Sequence, residues 1–349
     1  MDDNKNTDTI TEIELSEEEK LRASRISQLR EVNASAMMYF RELLSESQQG
    51  KLGYEYFCEK LMLTNETIAK FNLGIADIYE DDLYTYLKHK GYSDEIIQET
   101  GLVYFDDRHG AHDRFINRAM VPIMDMNGEC IAFGGRALGG EKPKYMITRE
   151  TELFDKSNNL FALYLARRSH RRGVILCEGY MDVITQHQTG FDNAISFLGT
   201  AFTMEQALLI KQFTKEVYLS YDSDDAGKNA TKKVIQILRS QGISQRVIDL
   251  FPYRDPQEFL MAEGAQAYEE RIRDAIPGEI FEIREIRKLY WLEDLEEKTA
   301  FIREAAKTLA GIVDAMEREN YCDMVAEENG LEGKVLRQEM TRFCMDDDE

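Results

Sequence analysis

The stretch that decides the fold begins Gly173-Val174-Ile175-Leu176-Cys177-Glu178-Gly179-Tyr180-Met181-Asp182. Its short apolar run is followed by a helical pattern, and the alternation continues as far as Leu250. The apolar runs are Val174 to Cys177, Ala194 to Phe197, Val217 to Tyr221 and Val247 to Leu250, and the helical patterns are Tyr180 to Gln188, Met204 to Phe213 and Ala226 to Leu238. Strand-helix alternation of this kind predicts a mostly parallel sheet with right-handed crossovers.

Acidic residues follow these apolar runs. Glu178 follows the first run, Asp222 and Asp224 follow the third, and Asp255 lies shortly after the fourth. Asp182 is four residues beyond Glu178, one helical turn along the same face. Because ligands of open parallel sheets bind beyond the carboxyl ends of the strands, we expect the five carboxylates to meet at one edge.

A cluster of carboxylates is unfavourable unless cations neutralise it, because each negative charge raises the pKa of its neighbours. Magnesium takes oxygen ligands from a few carboxylates and leaves coordination positions for substrate phosphates, and Mn²⁺ is a possible substitute. Two such ions about 3.5–4 Å apart activate an attacking hydroxyl and stabilise the leaving oxygen. The pattern is therefore typical of nucleotidyl transfer.

Other interpretations of the same acids stay open. Asp222 and Asp224 could belong to a helix N-cap with a turn, and a phosphate-accepting receiver domain also carries acids at strand ends. A calcium loop of the EF-hand type is not favoured, because the glutamate that closes such a loop is missing. The additional presence of Glu178 and Asp182 favours the metal site over a simple cap.

The flanking sequence indicates three further regions. Residues 1–28 form an acidic leader without apolar periodicity and are expected to be disordered. Residues 29–170 combine helical patterns with a hairpin at Asn127-Gly128, and residues 263–349 are helical in pattern to the end. The predicted class is α/β, with a mixed α/β N-terminal subdomain, a central mostly parallel sheet over residues 171–262 and a C-terminal helical subdomain.

Composition limits the compartment and the cofactors. No apolar run approaches the roughly 20 residues of a membrane-spanning helix, and the N-terminus does not resemble a secretory signal, so we expect a cytoplasmic protein without membrane contact. The five cysteines are scattered, which predicts no zinc site in this chain. The net charge of −22 argues against nucleic acid, but the basic series from Arg108 to Arg172 leaves room for a local cationic groove.

The motifs of the central region resemble the Toprim domain of bacterial replicative DNA primases of the DnaG type. The matching segments are Glu178-Gly179-Tyr180-Met181-Asp182, Phe197-Leu198-Gly199-Thr200-Ala201, Tyr221-Asp222-Ser223-Asp224-Asp225-Ala226-Gly227 and Asp255-Pro256-Gln257-Glu258-Phe259. Upstream, the segments similar to the basic motif region of that family are Asp113-Arg114-Phe115, Ala132-Phe133-Gly134-Gly135-Arg136, Pro143-Lys144-Tyr145 and Leu153-Phe154-Asp155-Lys156. The resemblance covers about residues 30 to 340.

The resemblance implies an enzyme that copies a single-stranded DNA template into short RNA primers from ribonucleoside triphosphates. It makes Glu178 the pivotal acid, assigns Mg²⁺ and the incoming triphosphate to Asp222 and Asp224, and places Asp182 and Asp255 further out in the same metal site.

The resemblance also selects among the basic residues. The positions that match the template and nucleotide groove are Arg114, Arg136, Lys144 and Lys156. Tyr145 is interpreted either as a stacking face for a base or as a buried packing residue. Five other arginines of the series are interpreted as solvated surface charges, namely Arg108, Arg167, Arg168, Arg171 and Arg172.

Three positions depart from the family pattern: Gln257 stands where an aspartate is usual, Ile116 replaces a frequent arginine and Asn72 interrupts a Phe-Gly pair. We recognise neither the zinc-binding module nor the helicase-contacting module of the family, so a replicative helicase or a zinc-binding module acting in trans is a possible partner. The alternative is a primase-like protein that binds single-stranded DNA or a replication partner without making primers. A Toprim nuclease or topoisomerase is less favoured, because the upstream basic motifs resemble those of primases.

Overall fold

The computed structural model describes residues 16–106 and 110–346. Contacts between residues divide the chain into two compact units, one ending at Asp155 and the other beginning at Lys156. The first unit carries antiparallel sheets, and the second carries a mostly parallel sheet followed by helices. This is the α/β architecture predicted from the sequence.

In the first unit the helices are α1 (Glu17–Glu46), α2 (Gly50–Tyr54), α3 (Asn65–Lys70), α4 (Asp82–His89) and α5 (Asp94–Glu99), with a π-helical segment, Glu55–Lys60, after α2. The strands are β1 (Gly74–Ala76), β2 (Val103–Asp106), β3 (Gly110–Asp113), β4 (Arg118–Met124), β5 (Cys130–Ala137) and β6 (Tyr145–Ile147). Strands β1-β4-β5-β6 form one antiparallel sheet, and β2 and β3 form a hairpin. The hairpin predicted at Asn127-Gly128 is confirmed, since β4 and β5 pair across it and Gly128 has a φ of 84°.

The expectation of disorder over residues 1–28 is wrong from Glu17 onward, because α1 begins there. Ser16 and Glu19 form a capping box, in which each side chain accepts a hydrogen bond from the other's backbone N–H. Leu29 of this helix is buried in the core, and Arg25 of the helix forms an ion pair with Glu99 of α5. Local capping and tertiary contacts therefore outweigh the missing apolar periodicity, while residues 1–15 lie outside the described part of the chain.

In the second unit the strands are β7 (Leu160–Phe161), β8 (Val174–Cys177), β9 (Ala194–Phe197), β10 (Glu216–Ser220), β11 (Ser244–Val247) and β12 (Ile276–Pro277). The helices are α6 (Leu163–Ala166), α7 (Tyr180–Gln188), α8 (Met204–Lys211), α9 (Asp225–Ser240), α10 (Pro256–Arg273), α11 (Gly278–Arg287), α12 (Leu295–Ala310), α13 (Ala315–Asn329) and α14 (Gly333–Asp346), with a 3₁₀ turn at Lys156–Asn158. The sheet order is β12-β11-β10-β8-β9-β7, parallel over its four middle strands and antiparallel at both edges.

Two details differ from the sequence prediction. The strand expected at Val247 to Leu250 is wrong by about three residues, because pairing with β10 starts at Ser244 opposite Glu216 and the chain leaves the sheet after Val247. The first and second regions were expected to meet at residue 170, but contacts place the boundary at Asp155. The reason is that β7 pairs with β9 and so joins the second sheet.

The helices that follow the sheet share their own apolar core. Phe301 and Leu309 of α12, Ile283 of α11 and Leu336 of α14 are all buried in one cluster. In the part of the chain that the structure describes, no helix is both long and apolar enough to cross a membrane.

Candidate acidic site and basic residues

Glu178 and Asp222 meet because they follow two neighbouring parallel strands. Ser220 of β10 lies opposite Cys177 of β8. The residues just beyond them therefore lie at the same edge of the sheet, the one formed by the carboxyl ends of the parallel strands. There the backbone N–H of Asp222 donates to Oε1 of Glu178 over 3.2 Å. A Cβ atom at Gly227 would lie only 2.1 Å from the Asp222 carbonyl oxygen and 3.0 Å from Oε1 of Glu178. The close approach therefore requires glycine at position 227.

Asp224 and Asp255 each begin a helix at this edge. Asp224 is the N-cap of α9, and its Oδ1 accepts the backbone N–H of Gly227 at 2.8 Å. Asp255 caps α10 in the same way, accepting from the N–H of Glu258 at 2.8 Å. The capping interpretation is thus correct for Asp224, and one of its two carboxylate oxygens is left for another partner.

The loop before α10 is hydrogen-bonded to the loop before α9. The backbone N–H of Ser223 donates to the Arg254 carbonyl at 2.7 Å, and the Ser223 hydroxyl donates to the Tyr253 carbonyl at 2.9 Å. The Arg254 guanidinium in turn donates to Oδ2 of Asp255 at 2.6 Å. Arg254 is a cation at the acidic edge that the motif reasoning missed, although it directly precedes Asp255 in the sequence.

The five acids act on one another electrostatically. Burial and the charge of Asp222 raise the pKa of Glu178, and burial and Asp255 raise the pKa of Asp222. Asp182 is the extreme case, since burial and the charges of Asp255, Asp222 and Glu178 raise its pKa to about 8. Asp224 belongs to the same group, because its charge contributes to the raised pKa values of Glu178 and Asp222.

These carboxylates suit a divalent cation by their chemistry. All are hard oxygen donors, and their mutual repulsion is what a cation relieves. As the side chains stand, no three acidic, histidine or cysteine residues within the described ranges enclose a position for a metal ion. Binding an ion would therefore require the side chains of Glu178, Asp222 and Asp224 to turn toward a common point.

In the first unit, three of the selected basic-motif residues lie close together, on β5 and at the start of β6. Arg136 of β5 lies directly opposite Tyr145 of β6, and Lys144 immediately precedes Tyr145. The Lys144 ammonium is 5.3 Å from the centre of the exposed Tyr145 ring. The Arg136 guanidinium packs 4.4 Å over the Tyr56 ring and donates to the Ala137 carbonyl at 2.7 Å. A cation and an aromatic face are thus presented side by side.

The other two basic candidates, Arg114 and Lys156, do not belong to this group of side chains. Arg114 follows β3 and is partly buried, and among the described residues its Nε has no hydrogen-bond partner. Lys156 is the first residue of the second unit, where its carbonyl accepts from the Gln206 amide. Sequence reasoning missed Arg118, which is buried and donates to the Pro143 carbonyl at 3.0 Å, so that it holds the turn before Lys144.

Comparison with known families first gives the class. Residues 175–260 match the family described as "Toprim-like", so the parallel sheet with its acidic edge is a Toprim domain. Toprim domains generally bind Mg²⁺. Residues 39–167 match "DNA primase catalytic core, N-terminal domain", and residues 281–332 match "DnaB-helicase binding domain of primase".

Individual relatives and solved structures support the same class of protein. The DNA primase of Clostridium acetobutylicum is 31% identical over 306 residues, covering 87% of this chain and 50% of that protein, and that of Treponema pallidum is 32% identical over 323 residues, covering 92% and 53%. The chain thus spans about half the length of these curated relatives. A crystal structure of a DNA primase domain from Pseudomonas aeruginosa matches with a TM-score of 0.75 and 30% identity, covering 90% of this chain and 99% of that one. A DnaG primase catalytic domain bound to single-stranded DNA matches with a TM-score of 0.74 and 28% identity, covering 88% and 99%.

The chain belongs to the family of DnaG-type DNA primase catalytic cores. The comparisons also correct one expectation. No helicase-contacting module was recognised in the sequence, yet residues 281–332 match the helicase-binding family. That region includes part of α11 and all of α12 and α13, whose buried apolar residues belong to the cluster described above.

Proposed function

We propose that this chain is the catalytic core of a DNA primase, which synthesises short RNA primers on a single-stranded DNA template from ribonucleoside triphosphates. The observation that carries the proposal is the meeting of Glu178 and Asp222 at the carboxyl edge of the sheet, with Asp224 in the same electrostatic group. Family membership and the solved relative bound to single-stranded DNA support it.

In this proposal Glu178, Asp222 and Asp224 hold Mg²⁺, for which Mn²⁺ can substitute, and Asp182 and Asp255 adjust the charge around them. The ions, when bound, lower the pKa of the attacking hydroxyl and neutralise the triphosphate. The chain would supply the carboxylate oxygens once these side chains have turned toward a common point. Oε1 of Glu178 accepts from the Asp222 N–H and Oδ1 of Asp224 accepts from the Gly227 N–H, so the second oxygen of each carboxylate, Oε2 and Oδ2, would be available to an ion.

We infer that the basic residues guide template and nucleotide. Arg136, Lys144 and Tyr145 present two cations and a ring on adjacent strands, which is the combination that phosphate and an unpaired base require. Arg114 and Lys156 are assigned to the same binding role on their motif positions. Residues 281–332 are proposed to bind the replicative helicase, because their family match is described by that function.

The test is incorporation of labelled ribonucleotide on single-stranded DNA with Mg²⁺ or Mn²⁺, with and without an added zinc-binding module. Glu178→Gln is expected to abolish incorporation, because it keeps an oxygen for the Asp222 N–H but removes the charge. Asp225→Asn is the matched control, since Asp225 is next to Asp224 in sequence and its side chain is fully exposed. Incorporation by Glu178→Gln at the normal rate would overturn the assignment.

One observation favours the alternative, a primase-like protein that binds single-stranded DNA or a replication partner without making primers. Gln257 stands where an aspartate is usual, and its amide contacts Met261 Sδ at 3.7 Å, so this position adds no carboxylate to the edge. Absence of incorporation at every Mg²⁺ and Mn²⁺ concentration, with single-stranded DNA binding retained, would support this alternative.

A further inference from the structure

A cavity lined by arginines lies near the amino ends of the parallel strands, at the edge of the sheet opposite to the acidic site. Its volume of about 490 Å³ is within the range of roughly 300–1,000 Å³ that small-molecule pockets occupy. The charged residues that line this arginine cavity are Arg171, Arg172, Arg246, Arg273, Glu216 and Glu269. Arg171 and Arg172 directly precede β8, Glu216 opens β10 and Arg246 lies on β11.

The net charge of the cavity lining is opposite in sign to the net charge of the whole chain. Four arginines and two glutamates leave an excess of positive charge in the cavity, whereas the chain as a whole carries −22. Arg171 and Arg172 were interpreted from the sequence as solvated surface charges, and both are exposed. The structure also places both in the wall of one cavity, where their fields add.

Arg171 is held in place by three contacts. Its Nη1 pairs with Oε2 of Glu269 at 2.7 Å, its Nε donates to the Gly190 carbonyl at 2.8 Å, and its guanidinium packs 4.6 Å from the centre of the Phe191 ring. A guanidinium that is already oriented loses little further freedom when it binds an anion. Arg171 is therefore a preorganised anchor.

The excess positive charge comes from Arg246 and Arg273. Glu216 is engaged by Arg172 and by the Tyr218 hydroxyl, and Glu269 by Arg171. Arg246 donates instead to a neutral group, the Ala275 carbonyl, at 2.8 Å. Arg273 is 3.7 Å from Asp274, which does not line the cavity. Two guanidinium groups thus add positive charge that the cavity's own carboxylates do not match.

We propose that the arginine cavity binds the phosphate groups of a small ligand, either inorganic pyrophosphate or a nucleotide. Planar guanidinium groups grip phosphate oxygens in pairs, and several of them around one cavity suit a ligand with at least two negative charges. The volume leaves room for a nucleoside beside the phosphates. Because arginine supplies the positive charge, binding requires no Mg²⁺ and is independent of the acidic site.

Isothermal titration calorimetry of the full chain with pyrophosphate, and separately with ADP, in buffer containing EDTA tests the proposal. Binding is expected, and Arg246→Gln and Arg171→Gln are each expected to weaken it about tenfold or more, which corresponds to one strong contact. Arg172→Gln, at a side chain that is 83% exposed, provides a substitution that leaves the packing intact and is expected to weaken binding several-fold. The control is Arg168→Gln, an exposed arginine outside the cavity, which should not change the affinity.

The two ligands distinguish the source of the phosphate. Equal affinities for pyrophosphate and ADP assign the binding energy to the phosphates alone, and tighter binding of ADP adds a nucleoside contact. No binding of either ligand, or equal weakening by Arg168→Gln and by the cavity variants, would overturn the proposal. The measurement involves neither metal nor primer synthesis. A negative result would therefore not contradict the proposed primase function, and a failure of the primase assay would not contradict ligand binding in the cavity.

Discussion

The backbone N–H of Asp222 donates a hydrogen bond to Oε1 of Glu178, which joins the carboxyl ends of the neighbouring parallel strands β10 and β8. The contact orients Glu178 through a backbone group that Asp222→Asn does not remove. Effects of charge and effects of geometry at this edge can therefore be separated by the choice of substitution.

Asp222→Asn and Asp224→Asn are each expected to reduce primer synthesis by more than about 100-fold, because an amide is a poor ligand for a divalent ion. Asparagine still caps a helix, so Asp224→Asn should keep α9 intact. Template binding should persist, since removing negative charge does not weaken affinity for a polyanion. Ribonucleotide incorporation and fluorescence anisotropy on labelled DNA check the two effects, and wild-type synthesis by either variant would contradict the metal assignment.

Gly227→Ala is expected to damage synthesis without changing any charge. The new Cβ would lie 2.1 Å from the Asp222 carbonyl oxygen and 3.0 Å from Oε1 of Glu178, so the backbone at Asp222 and the Glu178 side chain cannot both keep their positions. We expect at least about a tenfold loss of incorporation and a folded protein by circular dichroism. Gly311→Ala is the matched control, because its Cβ would meet nothing closer than the Thr308 carbonyl oxygen at 3.5 Å. Equal activity of both alanine variants would show that the close approach is not needed.

Metal binding is expected to release protons. Asp182, with its pKa raised to about 8 by burial and neighbouring carboxylates, is mostly protonated at neutral pH. A bound cation favours the carboxylate, so the proton leaves and the apparent affinity for Mg²⁺ rises as pH increases toward and through about 8. Calorimetry of Mg²⁺ binding in buffers of different ionisation enthalpy measures the release. Asp182→Asn should release fewer protons, and an affinity independent of pH would refute the coupling.

Lys144→Ala should weaken binding of single-stranded DNA and reduce the slope of log affinity against log salt by about 0.7, the value for one phosphate contact. Its ammonium lies beside the exposed Tyr145 ring on the strand next to Arg136. Lys20→Ala on α1 is the control, because Lys20 is exposed and pairs with Glu17 of the same helix. A salt slope equal to that of the wild type would remove Lys144 from the template groove.

Asp113 is expected to make folding stability depend on pH. Burial, together with the charge of Asp82, raises its pKa to about 7, although the backbone N–H groups of Leu83 and Tyr84 donate to it. The folded state therefore holds one proton more than the unfolded state between pH about 4 and about 7, and stability falls as pH rises through this window. The loss is at most about 1.4 kcal/mol per pH unit for one group.

Thermal unfolding of the wild type and of Asp113→Asn across this window is the measurement. The variant loses one acceptor for the backbone of α4 and should be less stable at low pH, but its Tm should vary less with pH. Parallel pH profiles for the two proteins would exclude Asp113 as the source.

The strands and helices of the central region could be predicted from local sequence. The strands at Val174–Cys177 and Ala194–Phe197 and the helix at Tyr180–Gln188 have the predicted bounds, because apolar runs of strand length alternate with amphipathic stretches. Glu178 and Asp222 could be placed at one edge for the same reason, since parallel strands end on the same side of a sheet. Elements without such a pattern were missed, namely β7, the start of β11 and the first turns of α1.

The sequence alone determined the order of strands and helices and the type of side chain at each strand end, because both depend on short-range periodicity and turn chemistry. Tertiary structure decided the rest. The raised pKa of Asp182 needs burial close to Asp222 and Asp255, which lie far away in the sequence, and the position of Arg254 at the acidic edge needs the loop that Ser223 holds. The arginine cavity gathers Arg171, Arg246 and Glu269 from separate elements. Burial and charge coupling act through space, so they appear only once the sheet has brought these segments together.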